Sequence, residues 1–297
     1  MTEPHPLHPG HRPRAPRQPR TTRIADGVFA HVPYDDGRCP ANAGIITGPE
    51  GVTVIDAVAT AARARAVRAA VESLGAGPVR RIVHTHHHGG HAHGDGDAFP
   101  EATVIAHALT RSEMAGAGMR PTGPCSGAGR GGVRSVLPSV TFEERLTLHS
   151  GDRSVELVFC GPAHTTNDVV VWLPGDRVLF AGDVVLAGAA PCTLMGSVEG
   201  ALRAIGMLRA FGARTVVCGR GPIRDARVLD ETEAYLRWVQ VVAMRGWQRG
   251  LSPAEMAGQA PAGPISHLGR AERLVGNLRR AYAELDGGPL GRPLEPP

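Results

Sequence analysis

The chain has 297 residues, 42% hydrophobic and 20% charged, with a formal net charge of +4. That length buries a sizeable core in one large domain or two small ones, and no apolar run approaches the roughly 18 residues that span a bilayer. All 32 basic residues are arginine, which excludes a P-loop lysine, a Schiff-base lysine and a Ser-x-x-Lys nucleophile.

In chain order, residues 1–22 read as a Pro/Arg/His-rich solvated tail carrying Arg12, Arg14, Arg17 and Arg20. They contain no apolar core segment of a secretory signal. The five cysteines (Cys39, Cys125, Cys160, Cys192 and Cys218) are odd in number and form no Cys-x-x-Cys pair. Free thiols in a cytoplasmic setting are the expectation. Aromatic residues are 4% of the chain and no RNA-reading motif is present, so no nucleic-acid partner is expected.

Ordered structure is expected from about Ile24. Strands are predicted over 28–32, 44–47 and 52–56, separated by Asp/Gly/Pro turns. A helix is predicted over 60–74, with Val67, Ala70, Val71 and Leu74 at helical spacing. A buried-type strand over 80–84 runs into a histidine cluster. A strand over 104–106 and a helix over 109–115 follow, then a Gly-rich loop over 116–138, a length that is more often functional than structural. Strands are predicted at 141–142, 146–148, 155–159, 169–173, 178–181 and 214–218, with a helix over 198–211 before the last. From Asp225 the pattern is helical: 225–247, 252–257 (Ser-Pro-Ala-Glu being a good start signal) and 266–285. Runs of strands flanked by helices predict an α/β sandwich with mixed sheets and not a Rossmann alternation. The domain reading is a tail over 1–22, a catalytic-type domain over 23–225 and a helical extension over 226–297.

The strongest chemical signal is the run His84-Thr-His86-His87-His88-Gly-Gly-His91-Ala-His93, six histidines in ten residues at a strand end. Imidazole is the commonest biological metal ligand, and strand-to-loop junctions hold ligands rigidly. Two further strand ends carry Gly161-Pro-Ala-His164-Thr-Thr-Asn-Asp168 and Phe180-Ala-Gly-Asp183. Each is weak alone. Together they offer two imidazoles, His164 and the Asp183 carboxylate to one ion.

These motifs, in this order and followed by Val-Val-Cys-Gly-Arg220-Gly-Pro, resemble the metallo-β-lactamase-fold hydrolase superfamily over roughly residues 24–225. The resemblance implies a four-layer αββα sandwich, here with extra C-terminal helices, and a metal centre at one edge. By position, His86, His88 and His164 resemble the ligands of a first metal. Asp183 resembles a bridging carboxylate, and His91 a ligand of a second metal. The family's Asp before the last histidine of the first motif is Gly90 here. Its final histidine is Arg220. Both departures fall on the second metal, so the expectation is one Zn²⁺ per chain, with Arg220 filling or facing the vacated position and Asp183 and Arg220 as the catalytic candidates. His84, His87 and His93 are expected to be packing or wall residues, Asp95 is not expected to replace the lost carboxylate, Asp168 is expected to accept from His164, Cys218 to be an inert thiol, and His107 and His149 to be structural or exposed.

The function expected from the resemblance is metal-dependent hydrolysis of a small ester, thioester or lactone, the 116–138 loop shaping the pocket. A narrower likeness, to cyclase/thioesterases of aromatic-polyketide pathways, implies an acyl carrier protein as partner. Two readings compete. One is a mononuclear iron thiol dioxygenase using His86, His164 and Asp183. The other is a non-catalytic binding protein. A homodimer stays open, since the C-terminal helices could pack on the core, cover the site or form a contact between copies.

Overall fold

The structure, a computed structural model, describes residues 19–33, 41–56, 60–92, 95–116, 136–264 and 271–289. Two sheets face one another. The first has seven strands in chain order: β1 (Arg20–Ala25), β2 (Val28–Val32), β3 (Ala43–Gly48), β4 (Gly51–Ile55), β5 (Val79–Val83), β6 (Thr103–His107) and β7 (Val140–Phe142). The pairs from β1 to β4 are antiparallel and those from β4 to β7 parallel. The second runs β12 (Thr215–Arg220), β11 (Val178–Leu186), β10 (Val169–Leu173), β9 (Arg153–Phe159) and β8 (Arg145–Ser150). Only β11 and β12 are parallel in it.

Side-chain alternation explains the layers. Val169, Val171 and Leu173 of β10 point between the sheets, against Val28, Ile46, Ile55 and Val83. Val170 and Trp172 point the other way, onto helices. Both faces of β10 are therefore buried, and its sequence is an unbroken apolar run. The first sheet's outer face (Ile45, Val54 and Ile82) packs on α1 (Ala61–Ser73) through Ala64, Val67 and Val71. The second sheet's outer face carries α5 (Val198–Ala210), α6 (Arg227–Gln248), α7 (Pro253–Gln259) and α8 (Ala271–Leu285). The result is the expected αββα sandwich with added C-terminal helices. Three short or local helices complete the first layer: α2 (Gly89–Ala92), α3 (Asp95–Ala98) and α4 (Ala108–Gly116).

Helix ends follow local chemistry. Thr60 caps α1 by accepting from the Arg63 amide. Ser252 and Glu255 form a reciprocal capping box on α7, with Pro253 at its first turn. Two expectations are corrected. β1 begins at Arg20, inside the residues read as tail and ahead of the expected start at Ile24. β11 runs on to Leu186, so Asp183 sits within a strand and not after one. Residues 117–135, most of the Gly-rich loop, and His93 lie outside the described residues. No helix among the described residues is long and apolar enough to cross a membrane.

Candidate metal centre

The chemistry-bearing side chains meet at one end of the sandwich, where β4, β5, β9 and β12 end and β11 passes. His86 and His88 lie on the short segment between β5 and α2, and His91 lies in α2. His164 is on the β9–β10 connection, and Arg220 is the last residue of β12. The Val169 amide donates to the Thr85 carbonyl at 2.7 Å, tying the two histidine-bearing segments together across the sheets.

Hydrogen bonds set the tautomers of His86 and His164. Thr85 donates its hydroxyl to Asp56 Oδ2 (2.9 Å), so its oxygen accepts from His86 Nδ1 (3.1 Å). That leaves the lone pair on His86 Nε2, which is buried with no hydrogen-bond partner among the described residues. His164 Nδ1 donates to the Cys192 carbonyl, leaving a lone pair on Nε2. His88 Nε2 lies 3.2 Å from Met195 Sδ, a weak acceptor that can take the ring proton when Nδ1 ligates. His88 Nδ1 and His164 Nε2 are 3.0 Å apart. Without a cation His88 Nδ1 donates to the His164 lone pair; with the His88 proton on Nε2, toward Met195, both nitrogens are left to face a cation. His86, His88 and His164 place ligand atoms within 4.8 Å of one another, and all three are buried. Three neutral nitrogens this close together are a donor set that fits a zinc ion. Burial, reinforced by the neighbouring rings, pushes the His86 and His88 pKa values well below 6.5, and burial lowers His164 too. All three are therefore held in the ligating, unprotonated form.

A second cluster, His86, His91 and Asp183, also brings ligand atoms within 4.8 Å. It already holds a cation. Arg220 donates to Asp183 Oδ2 through Nε (3.0 Å) and Nη2 (2.8 Å), and Nη2 lies 3.3 Å from His91 Nε2. Gly90 makes room for it: a Cβ there would stand 3.2 Å from Arg220 Nη2. Gly219 does the same for Asp183, because a side chain at 219 would collide with Asp183 Oδ1 and the Gly182 backbone. Burial raises the Asp183 carboxyl, but Arg220 and His91 outweigh it and hold Asp183 well below the usual carboxylate range. His91 is sandwiched, with Nδ1 2.7 Å from Asp56 Oδ2 and Nε2 3.1 Å from Asp183 Oδ1. Burial opposes its charge. The two carboxylates win and raise it to about 9, so His91 is an imidazolium at neutral pH.

The other expected residues fall as follows. His87 turns from the cluster to Asn167, which accepts from its backbone amide (3.0 Å) and donates to its Nδ1 (2.8 Å). His84 is buried and its amide donates to the Ile105 carbonyl. His107 stacks on Phe159 at 4.1 Å, and His149 is exposed. Cys218 is buried, and burial pushes its thiol up to about 12. Asp95 begins α3, and its side chain lies outside what the structure describes. Asp168 does not accept from His164. It accepts from the Ala163 and Thr165 amides (3.1 and 2.8 Å) and the Thr165 hydroxyl (2.8 Å), shaping the loop, while a carbonyl takes the His164 proton.

Sequence reasoning missed Asp56 and Asn42. Asp56 follows β4 in the left-handed region (φ 60°) and accepts from the Thr85 amide at 2.8 Å. Its signal was an acid closing a buried strand, the pattern that singled out Asp183. Asn42 donates across the sheets to the Cys218 and Gly221 carbonyls (2.9 and 2.8 Å), holding the turn that presents Arg220.

A sandwich of two mixed sheets with a histidine-rich centre at one edge defines the class of protein. The sequence model of the Metallo-beta-lactamase superfamily matches residues 36–220, and the chain belongs to that superfamily. It is 29% identical over 169 residues to the 2,4-dinitroanisole O-demethylase subunit alpha of Nocardioides sp. (strain JS1661), covering 56% of this chain and 44% of that one. It is 22% identical to the linear primary-alkylsulfatase of Pseudomonas sp. (strain ATCC 19151), covering 83% and 55%. The chain thus spans about half the length of these curated relatives. Among solved structures, a metallo-beta-lactamase from Pontibacter korlensis superposes with a TM-score of 0.63 at 25% identity, covering 74% of this chain and 99% of that one. The DIM-1 metallo-beta-lactamase superposes at 0.60 and 19%, covering 74% and 98%, a likeness of fold.

Proposed function

We propose that the chain is a hydrolase of a small ester, thioester or lactone that works with one zinc ion held by His86, His88 and His164. The observation that carries this is the convergence of three imidazole lone pairs beside a second cluster already filled by Arg220. A zinc ion there supplies Lewis acidity to a carbonyl group and to water. Asp183, kept ionised by Arg220 and His91, is a fixed acceptor and a poor proton carrier. Arg220 keeps a permanent positive charge beside the cluster, where it favours negative charge developing on a substrate oxygen.

The two bonds from Arg220 to Asp183 weigh against the iron set of His86, His164 and Asp183. The narrower reading, ring closure and thioester cleavage on a carrier-bound polyketide chain, draws support from Gly90: aldol closure makes less demand on a water-orienting carboxylate at that position. An acyl carrier protein is the partner in that reading. The test is elemental analysis of protein purified without chelator, followed by acyl thioesters, lactones and aryl esters as substrates. The names of the relatives add an aryl methyl ether and a linear alkyl sulfate to the panel. Near one zinc per chain and chelator-sensitive turnover of an acyl substrate are expected. Near one iron with O₂ uptake would put the dioxygenase in its place. No metal after zinc reconstitution would leave a binding protein.

A further inference from the structure

Helix α8 lies beyond the family-matched residues 36–220. It carries Arg273, Asn277, Arg280 and Glu284 at spacings of four, three and four, which places them on one face. That face reads successive backbone groups of one segment. Arg273 donates to the Ala190 carbonyl. Asn277 is fully buried and makes four bonds. Its Oδ1 accepts from the Thr193 amide (2.8 Å) and hydroxyl (3.0 Å). Its Nδ2 donates to the Pro191 carbonyl (3.0 Å) and the Tyr235 hydroxyl (3.0 Å). Arg280, 1% exposed, donates to the Leu194 carbonyl through Nη2 (2.9 Å) and Nε (3.3 Å). Glu284 accepts from the Val198 and Glu199 amides (2.8 and 3.2 Å) at the start of α5.

The clamped segment touches two of the three histidines. The Cys192 carbonyl takes the His164 Nδ1 proton, and Met195 Sδ lies against His88 Nε2. The first fixes which nitrogen of His164 keeps its lone pair, and the second gives the His88 Nε2 proton a partner when Nδ1 ligates. Every backbone group from which Asn277 accepts or to which it donates in this segment lies within one residue of Cys192. Partners that orient metal-bound histidines typically change metal affinity 10- to 100-fold when lost.

We infer that Asn277 is a positioning residue for the metal centre, acting through the 190–195 segment, so that the C-terminal helix tunes how His164 and His88 present their nitrogens. This rests on the three-histidine reading above. It ties Asn277, and not α8 as a whole, to the centre without making it a ligand.

The test uses the full chain. Zinc affinity is read by competition with a chromophoric chelator, and ligand geometry by the visible d–d bands of the Co(II)-loaded protein. Asn277→Ala is expected to weaken zinc binding about 10- to 100-fold and to shift the Co(II) bands. Thr193→Val, which deletes only one hydroxyl bond to Asn277, is expected to weaken binding less, in the same direction, and keeps the inference testable if Asn277→Ala does not fold. Glu284→Gln, which loosens α8 from α5 and leaves 190–195 untouched, is expected to lower thermal stability and change neither metal readout. Parental affinity and an unshifted spectrum in Asn277→Ala and Thr193→Val would overturn the inference while leaving the metal centre standing. So would an equal loss of affinity in Glu284→Gln. A parent chain that binds neither zinc nor cobalt would overturn the metal centre and the inference together.

Discussion

Arg220→Met tests whether the guanidinium is a structural cation of the site. The change keeps most of the side chain's apolar volume and removes the charge and both bonds to Asp183. Asp183 is 4% exposed and the Arg220 side chain 12%, so solvent screens the pair little. Removing one partner of a buried pair typically costs about 3–5 kcal/mol, because the other charge is left uncompensated. Here His91 still faces Asp183 Oδ1 at 3.1 Å and keeps part of the compensation, which brings the expected loss to about 2–4 kcal/mol. For a chain of this size that is a fall in Tm of roughly 3–6 °C. The assay is thermal unfolding in chelator, with Arg227→Met as the control. Arg227 makes an equally short bond to Asp225, at 2.7 Å, but its side chain is 84% exposed, and exposed pairs contribute little. A large fall for Arg220→Met beside a negligible one for Arg227→Met is expected. Equal, small changes in both would refute the claim that Arg220 stands in for a cation the site requires.

The metal-free protein is expected to be most stable near pH 6.5. Burial holds His86, His88 and His164 below their ordinary 6.5, so beneath that pH the unfolded chain takes up protons that the folded one refuses, and stability falls with pH. His91, raised to about 9, contributes stability that is full below 6.5 and is lost as pH rises through 9. Melting in chelator from pH 5 to 9.5 checks this, and a Tm still climbing above pH 7.5 would contradict it. Ser252→Ala removes the cap of α7 and is expected to cost about 1 kcal/mol, with unchanged zinc content by elemental analysis. Gly90→Asp combined with Arg220→His supplies the two groups in which this chain departs from its family. Zinc content is expected to rise from one to two per chain, whereas a value still near one would mean that more than these two positions closes the second cluster.

Much of the fold was legible because strands buried on both faces, such as 169–173, are unbroken apolar runs, and helices such as α1 and α6 bury residues at helical spacing. β1 was not, because RTTRIA has no buried residue and is held by its ladder to β2. Such edge strands carry no hydrophobic signature. The four-residue helices α2 and α3 are too short for any periodicity. The meeting of His86, His88, His91, His164 and Asp183 was legible because their types and order are unusual together. Their supports were not. The His164 acceptor is a backbone carbonyl, which no side-chain identity announces. The polar stripe on α8 reads as a solvated helix face until its partners at 190–199 are known.

The charges around the centre explain why such supports matter. The Asp56 and Asp183 carboxylates face the His91 imidazolium and the Arg220 guanidinium, so two anions and two cations neutralise one another before any metal arrives. The three imidazoles proposed as ligands are neutral. With those four charges paired, the binding of the proposed ion would rest largely on how well three lone pairs are aimed. Sites with surplus carboxylates can tolerate a misplaced ligand, because Coulomb attraction falls off slowly with distance. Lone-pair donation does not, since ligand distances of about 2.0–2.1 Å leave little room for error. On the one-zinc reading proposed above, an arginine in place of a second metal moves the burden of affinity from charge onto geometry. The bonds that orient the three imidazoles, including the Cys192 carbonyl that α8 holds through Asn277, are where that burden falls.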